Sequence, residues 1–305
     1  MMEPLGVDRY RSAAALLPPR LRGPAEGVPP RIMARAEEFR LRAGRPLTLA
    51  GPEGEEHVPG AERPVEPEEL ALVLEIATRA SAHTAMEQVR SGFFTVEGGH
   101  RIGICGSGVV REGTVWNLRQ LSSLAVRIAR ETPGVSAPVL DRLWEGESLE
   151  NTLILSPPGG GKTTLLRDLI RAVSDGEGRR PLRVGVADER GELAAVCGGI
   201  PQFDMGRQTD VLSGCPKGAA LLMLLRGMNP QVLAADEITA PEDCAALETA
   251  ANCGVALLCT AHGRDLAELR ARPLYRRLLE ARLFRRLVGI ERAGARREYR
   301  VERLC

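Results

Sequence analysis

Apolar positions follow two different rhythms along this chain. Between residues 36 and 130 they alternate in short stretches broken by glycine. Glu38-Phe39-Arg40-Leu41-Arg42 alternates, turns at Ala43-Gly44-Arg45-Pro46 and resumes at Leu47-Thr48-Leu49, which predicts a hairpin. Leu70, Val73, Leu74 and Ala77 recur at helical spacing and predict a helix over Pro67 to Ala80, with a second over Ala82 to Ser91. A strand from Phe93, a turn at Gly98-Gly99 and a strand through Ile102 and Ile104 follow, then strands at Val115 to Leu118 and Leu124 to Ile128. Residues 36–130 are therefore expected to form a small α+β domain. Residues 1–35, rich in Pro, Arg and Gly, are expected as a poorly ordered lead-in with one short helix from Asp8 to Leu17. Residues 131–150, with Pro133-Gly134 and Ser136-Ala137-Pro138, are expected as a linker.

From residue 151 to 305 the rhythm changes to apolar strand, loop and helix in repetition. Strands are predicted at Thr152–Leu155, Val184–Ala187, Val232–Ala235, Val255–Thr260 and Leu283–Ile290. Such alternation gives an α/β fold with a mainly parallel sheet and helices on its faces. The longest apolar run, Ala219 to Leu225, stops at Arg226, far short of the ~18 residues a spanning helix needs. The N-terminus carries Glu3 and Asp8 among prolines and does not read as a signal peptide. The expectation is a cytoplasmic protein with no transmembrane segment of its own, reaching any membrane through partners.

Net charge is +1 and aromatics are 3% of the 305 residues, so neither a global field nor a base-stacking surface points to nucleic acid. The arginines of the tail from Arg270 to Arg303 are expected as a solvated face. The seven cysteines contain no C-x-x-C pair and read as reduced core thiols without a zinc site. His57, His83 and His100 receive no role. Only Lys162 and Lys217 are lysines in a chain otherwise biased to arginine. A compact ammonium suits a phosphate cradle better than a planar guanidinium does, which draws attention to Lys162.

The surroundings of Lys162 carry the chemistry. An apolar strand, Asn151 to Leu155, runs into Ser156-Pro157-Pro158-Gly159-Gly160-Gly161-Lys162-Thr163-Thr164. A helix follows with Leu165, Leu166, Leu169, Ile170 and Val173 on one face and Arg167, Asp168 and Arg171 opposite. Strand, glycine-rich loop and helix form the context a P-loop requires: the glycines let backbone N–H groups surround phosphate oxygens, and the helix N-terminus adds its positive end. Lys162 is expected on the β and γ phosphates of ATP and Thr163 on Mg²⁺. Ser156 stands where the strict pattern has glycine. A second buried strand, Val232 to Ala235, ends in Asp236 and Glu237. An acidic pair after a strand is by itself often a solvated strand end. Downstream of a P-loop, Asp236 is expected to hold Mg²⁺ through water and Glu237 to activate the attacking water. Two further strand ends carry Asp188-Glu189-Arg190 and Thr260-Ala261-His262-Gly263, and ligands in open α/β sheets sit at such ends. Glu189 is a candidate for acting on the water and His262 for sensing the γ-phosphate. After Glu237, Thr239 and Glu242 have capping-box spacing, with Pro241 in the first turn.

These residues, with Glu38 to Leu47, Gly99 to Gly106, Leu121 to Glu131, Thr209 to Leu212 and Gly214-Cys215-Pro216-Lys217, closely resemble the stage III sporulation protein AA family, within the type II/type IV secretion ATPase superfamily. The resemblance is weak over the first ~35 residues and after Glu291. It implies a RecA-like P-loop NTPase core with a smaller N-terminal α+β domain, a hexameric ring, and work on a membrane-embedded channel between mother cell and forespore. It makes Gly159 to Thr164 the Walker A loop and Asp236 and Glu237 the Walker B acids. Glu189 then falls in the acidic box and His262 in the histidine box. It also implies arginines from the N-terminal domain at the γ-phosphate, for which Arg127 and Arg130 are the candidates. Competing readings are a nucleic-acid translocase, a nucleotide-gated scaffold with little turnover, and a small-molecule kinase. The last is disfavoured because Glu237 suits activation of water.

Overall fold

The computed structural model describes residues 3–78, 92–293 and 296–304. The helix expected over Ala82 to Ser91, and His83 within it, lie outside the described residues. The chain divides into two compact units: Met1–Arg130 with Ala195–Gln202, and Glu131–Ala194 with Phe203–Cys305.

The first unit corrects the expectation of a poorly ordered lead-in. Its first residues form three helices, α1 (Glu3–Ala14), α2 (Pro19–Glu26) and α3 (Pro30–Met33). Two of them start on proline, whose fixed φ suits the first helical turn where no amide partner is needed. Tyr10 explains why they pack. Its ring lies 4.9 Å from that of Phe39, and its hydroxyl donates to Ala25 O at 2.8 Å. The poor periodicity of this segment hid short helices punctuated by the same prolines that begin them.

The predicted hairpin is β1 (Glu38–Arg42) and β2 (Thr48–Gly51), and β3 (Gly54–His57) adds to its edge. Helix α4 covers Pro67–Thr78. The strands β4 (Phe93–Thr95), β5 (Arg101–Arg111) and β6 (Thr114–Arg127) complete a sheet of order β3-β2-β1-β6-β5-β4, antiparallel throughout. The two strands expected at 115–118 and 124–128 are one: β6 pairs continuously with β5 through register shifts that the alternation does not reveal. Leu17, Leu21, Phe39, Leu41, Leu70, Ile102 and Leu124 form the core.

The second unit is built on β9 (Thr152–Ser156), β10 (Val184–Asp188), β11 (Thr209–Ser213), β12 (Val232–Ala235) and β13 (Ala256–His262). With β14 (Arg286–Ala293) and β15 (Arg296–Arg303) they form a sheet of order β11-β10-β12-β13-β9-β14-β15. All neighbours are parallel except β14 and β15. Strands β9, β10 and β12 are buried at every residue, as unbroken apolar runs covered on both faces should be. The proposed strand at Leu283–Ile290 is β14, shifted toward the C-terminus. Strands β11 and β15 were not expected, because polar and arginine-rich edge strands carry little apolar signal.

Residues 131–150 do not form a free linker. They contain helix α5 (Ala137–Leu140) and a small hairpin of β7 (Trp144–Glu145) and β8 (Ser148–Leu149), within the second unit. Helix α6 (Lys162–Asp175) buries Leu165, Leu166, Leu169, Ile170 and Val173 as expected. It also buries Asp168, which the sequence placed on the polar face. Helices α7 (Lys217–Gly227), α8 (Pro241–Asn252), α9 (Leu266–Ala271) and α10 (Pro273–Glu280) complete the unit. The cap of α8 differs from the expected Thr239 and Glu242 pair: Asp243 accepts from the N–H groups of Thr239 and Ala240. Of the cysteines expected in the core, Cys244 and Cys259 are buried, whereas Cys105 and Cys253 are exposed.

Candidate nucleotide site

The loop between β9 and α6 is shaped by its glycines. Gly159 and Gly161 hold φ of 73° and 102°, conformations that side chains resist. Gly160 answers a different need: a Cβ there would lie 2.1 Å from Ser156 Oγ. Ser156, in place of the first glycine of the strict pattern, thus tucks its hydroxyl beneath the loop, and Gly160 makes room for it. Pro157 and Pro158 lead into the three glycines, and Lys162 opens the helix with Thr163 and Thr164 behind it.

Lys162 folds back over this loop and is nearly buried. Its ammonium donates to Ser156 O at 3.2 Å and Pro157 O at 3.4 Å, and lies 2.9 Å from His262 Nδ1. Burial lowers its pKa, while Glu237 and Asp236 oppose the shift. An ammonium cannot accept, so His262 Nδ1 accepts and the ring proton sits on Nε2. That Nε2 stands 2.5 Å from Glu237 Oε1. His262 therefore bridges the cation of the loop and the carboxylate of the neighbouring strand end.

Asp236 and Glu237 leave β12 in different directions. Asp236 accepts from Thr163 Oγ at 2.6 Å and from Thr260 Oγ at 2.5 Å. Burial raises its pKa against those two hydrogen bonds, and the charge of Glu237 raises it further. Glu237 has φ of 53°, strained backbone for a residue with a side chain, and its N–H donates to Thr260 Oγ at 2.8 Å. Thr260, fully buried on β13, thus holds both acids in place. The sequence alone shows no task for Thr260, because its partners depend on which strands are adjacent.

Beyond β10 each of the three charged residues has a different partner. Asp188 is buried and accepts from the N–H groups of Glu192, Leu193 and Ala194, so it shapes the loop. Glu189 pairs with Lys217 at 2.7 Å, and Arg190 reaches Glu237 at 3.3 Å. Lys217 is the second of the two lysines, nearly buried, and the argument applied to Lys162 would have flagged it. Glu189, Arg190, Glu192, Lys217, Asp236 and Glu237 line one small recess at the ends of β10 and β12.

Arg127 and Arg130 belong to the first unit. Arg127 is exposed, with Nε 3.4 Å from Glu38 Oε2. Arg130 donates to Ala34 O at 2.9 Å and to Ala36 O, and burial lowers its pKa.

The strand ends of β9, β12 and β13 bring Lys162, Thr163, Asp236, Glu237 and His262 together. The oxygens of Thr163 and Asp236 are the hard donors a Mg²⁺ ion accepts alongside phosphate and water, so the residues fit that ion. Comparison with known proteins agrees with the fold. A sequence profile described as "Sporulation stage III, protein AA" matches residues 27–301. This chain belongs to the stage III sporulation protein AA family. The match reaches into β15, beyond the Glu291 limit that the sequence resemblance set. Stage III sporulation protein AA of Bacillus subtilis (strain 168) is 38% identical over 281 residues, 92% of this chain and 90% of the relative. Among solved structures, the pilus retraction motor PilT with bound ADP gives a TM-score of 0.61 at 15% identity, over 87% of this chain and 78% of that one. The Legionella pneumophila ATPase DotB gives 0.57 at 17% identity, over 88% and 76%. The fold is the RecA-like α/β fold of these two structures.

Proposed function

We propose that this chain hydrolyses ATP with Mg²⁺ and serves as the motor of a secretion-like apparatus during sporulation. The observation that carries the reading is the convergence of Lys162, Thr163, Asp236, Glu237 and His262 at three adjacent strand ends. Lys162, released from Ser156 and Pro157, takes the β and γ phosphates. The amides of Gly159 to Thr164 surround them. Thr163 and Asp236 hold Mg²⁺, which neutralises charge on the phosphates when bound. Glu237 orients and deprotonates the attacking water. His262 links the γ-phosphate end to Glu237 through its Nε2 proton, and Lys217 fixes Glu189 at the edge of the same recess.

The names of similar proteins, an ATPase and a motor with bound ADP, support the ATPase reading; the sporulation relative supports the setting. The motor is read as a hexameric ring whose subunits share nucleotide sites, acting at the membrane through channel proteins of the mother cell. Arg127 is the better of the two candidates for reaching a neighbour's γ-phosphate, because its guanidinium is exposed. Arg130 spends its donors on two backbone carbonyls.

Two carboxylate variants test the division of labour. Glu237→Gln keeps Mg-ATP bound and slows phosphate release by roughly 10²–10⁴. Asp236→Asn loses the Mg²⁺-dependent part of ATP binding. Equal effects of the two on binding and turnover would refute these roles.

A further inference from the structure

Strand β15 carries an arginine onto the phosphate loop of its own chain. A methyl group on Gly161 would lie 2.7 Å from Arg297 Nε and 2.8 Å from its Cζ. The guanidinium therefore rests against the last glycine before Lys162, at the residue that caps the N-terminus of α6. Amides at such a junction point toward an anion. Tyr299 shares the face of β15 with Arg297, since alternate strand residues point the same way. Tyr299 is half-buried and lies in the field of Asp168 on α6, so this face of the strand looks onto the phosphate-loop helix. Farther along β15, Arg300 pairs with Glu302 and Arg303 with Glu145. Among the described residues, no carboxylate or carbonyl pairs with the Arg297 guanidinium. Its N–H donors stand beside the loop, exposed and free of any protein acceptor among the described residues.

The sheet order gives this position a meaning. Strand β9, which feeds the loop, has β13 and β12 on one side and β14 and β15 on the other. Lys162 turns toward the first side, to His262 and Glu237. Arg297 comes from the second. A nucleotide whose terminal phosphate meets Lys162 and Glu237 extends its ester phosphates and nucleoside toward the opposite flank.

We propose that Arg297 binds the α and β phosphates of a nucleotide held in the phosphate loop of the same chain. It is an affinity determinant that ADP and ATP share, in contrast to a residue acting on the γ-phosphate. The inference rests on the nucleotide reading above and adds a binding residue to it. A planar fork of two N–H groups suits two phosphate oxygens, and a lysine at this point would offer only a point charge.

The test is calorimetric titration of the full chain with Mg-ADP and Mg-ATP, alongside steady-state phosphate release, for wild type, Arg297→Gln and Arg297→Lys. Thermal unfolding without nucleotide checks the fold, which an exposed strand residue should leave intact. Arg297→Gln is expected to weaken both nucleotides alike by about tenfold, the scale of one charge-assisted hydrogen bond. Its kcat at saturating ATP stays within about twofold of wild type, since uniform binding is lost. Arg297→Lys falls between. Unchanged ADP affinity in Arg297→Gln overturns the inference and leaves the ATPase reading standing. So does a fall in kcat at unchanged affinity, which would move Arg297 to the γ-phosphate. Failure of the wild type to bind either nucleotide overturns both.

Discussion

His100 shows how a single side chain can be spoken for entirely by its surroundings. Its Nδ1 accepts from the Ala129 N–H at 3.0 Å, and its Nε2 lies 2.7 Å from Ser12 Oγ, whose proton goes to Arg9 O at 3.0 Å. The ring is fully buried and neutral, with its proton on Nε2. Burial, and next the charge of Arg9, bring its pKa from 6.5 down to about 4. Below the ordinary value the unfolded chain binds a proton that the folded chain refuses, so stability rises with pH across the window from about 4 to 6.5. His100 thus contributes on the order of 3 kcal/mol that is present above that window and lost as pH falls through it. Urea unfolding at several pH values checks this: His100→Gln should flatten the wild-type slope in this window, and an equal slope in both proteins would refute it. The sequence offered no sign of the role, because both partners of the ring come from distant segments. Lys162, Asp236, Glu237 and His262 were legible as candidates because the last three stand at the ends of apolar strands and Lys162 ends the glycine-rich string that follows one. Thr260 was not, since its partners Asp236 and Glu237 are set by which strands are adjacent.

At the scale of elements, Asp168 decides how the chain enters the second unit. It accepts from Gly134 N–H at 3.0 Å, Ser136 N–H at 2.7 Å, Ser136 Oγ at 2.6 Å and Arg171 Nε at 2.9 Å. Burial alone would raise its pKa. The hydrogen bonds from Ser136, Gly134 and Arg171 outweigh it and hold the carboxyl below the usual range. The depressed pKa means that this contribution is present at neutral pH and is lost as pH falls through the folded value. Asp168→Ala leaves the buried N–H and hydroxyl of Ser136 without their acceptor, while Arg171 keeps Glu177, and should cost about 2–4 kcal/mol of unfolding free energy. A midpoint in urea equal to that of wild type would contradict this. Helical periodicity placed Asp168 on a polar face and was right about the geometry. What it lacked was the segment from Gly134 to Ser136 folding back to cover that face. The same limit accounts for α1 to α3, where tertiary contact through Tyr10 and Phe39 stabilises helices whose own pattern is faint. The buried parallel strands were read nearly to the residue, because runs covered on both faces carry the strongest apolar signal.

At the scale of the molecule, an antiparallel α+β unit and a RecA-like unit are each built around their own core. The second unit carries Lys162, Thr163, Asp236, Glu237 and His262; the first carries Arg127. No helix among the described residues is long and apolar enough to cross a membrane. Lys162, whose ammonium rests on loop carbonyls and His262, is the residue on which the proposed hydrolysis depends most. Phosphate release from Mg-ATP by wild type and by Lys162→Ala, at equal concentration and with folding verified by circular dichroism, tests it most directly. Turnover by the wild type and none above background in Lys162→Ala is the expected result. Wild-type turnover in the variant, or no hydrolysis by either protein, would contradict it.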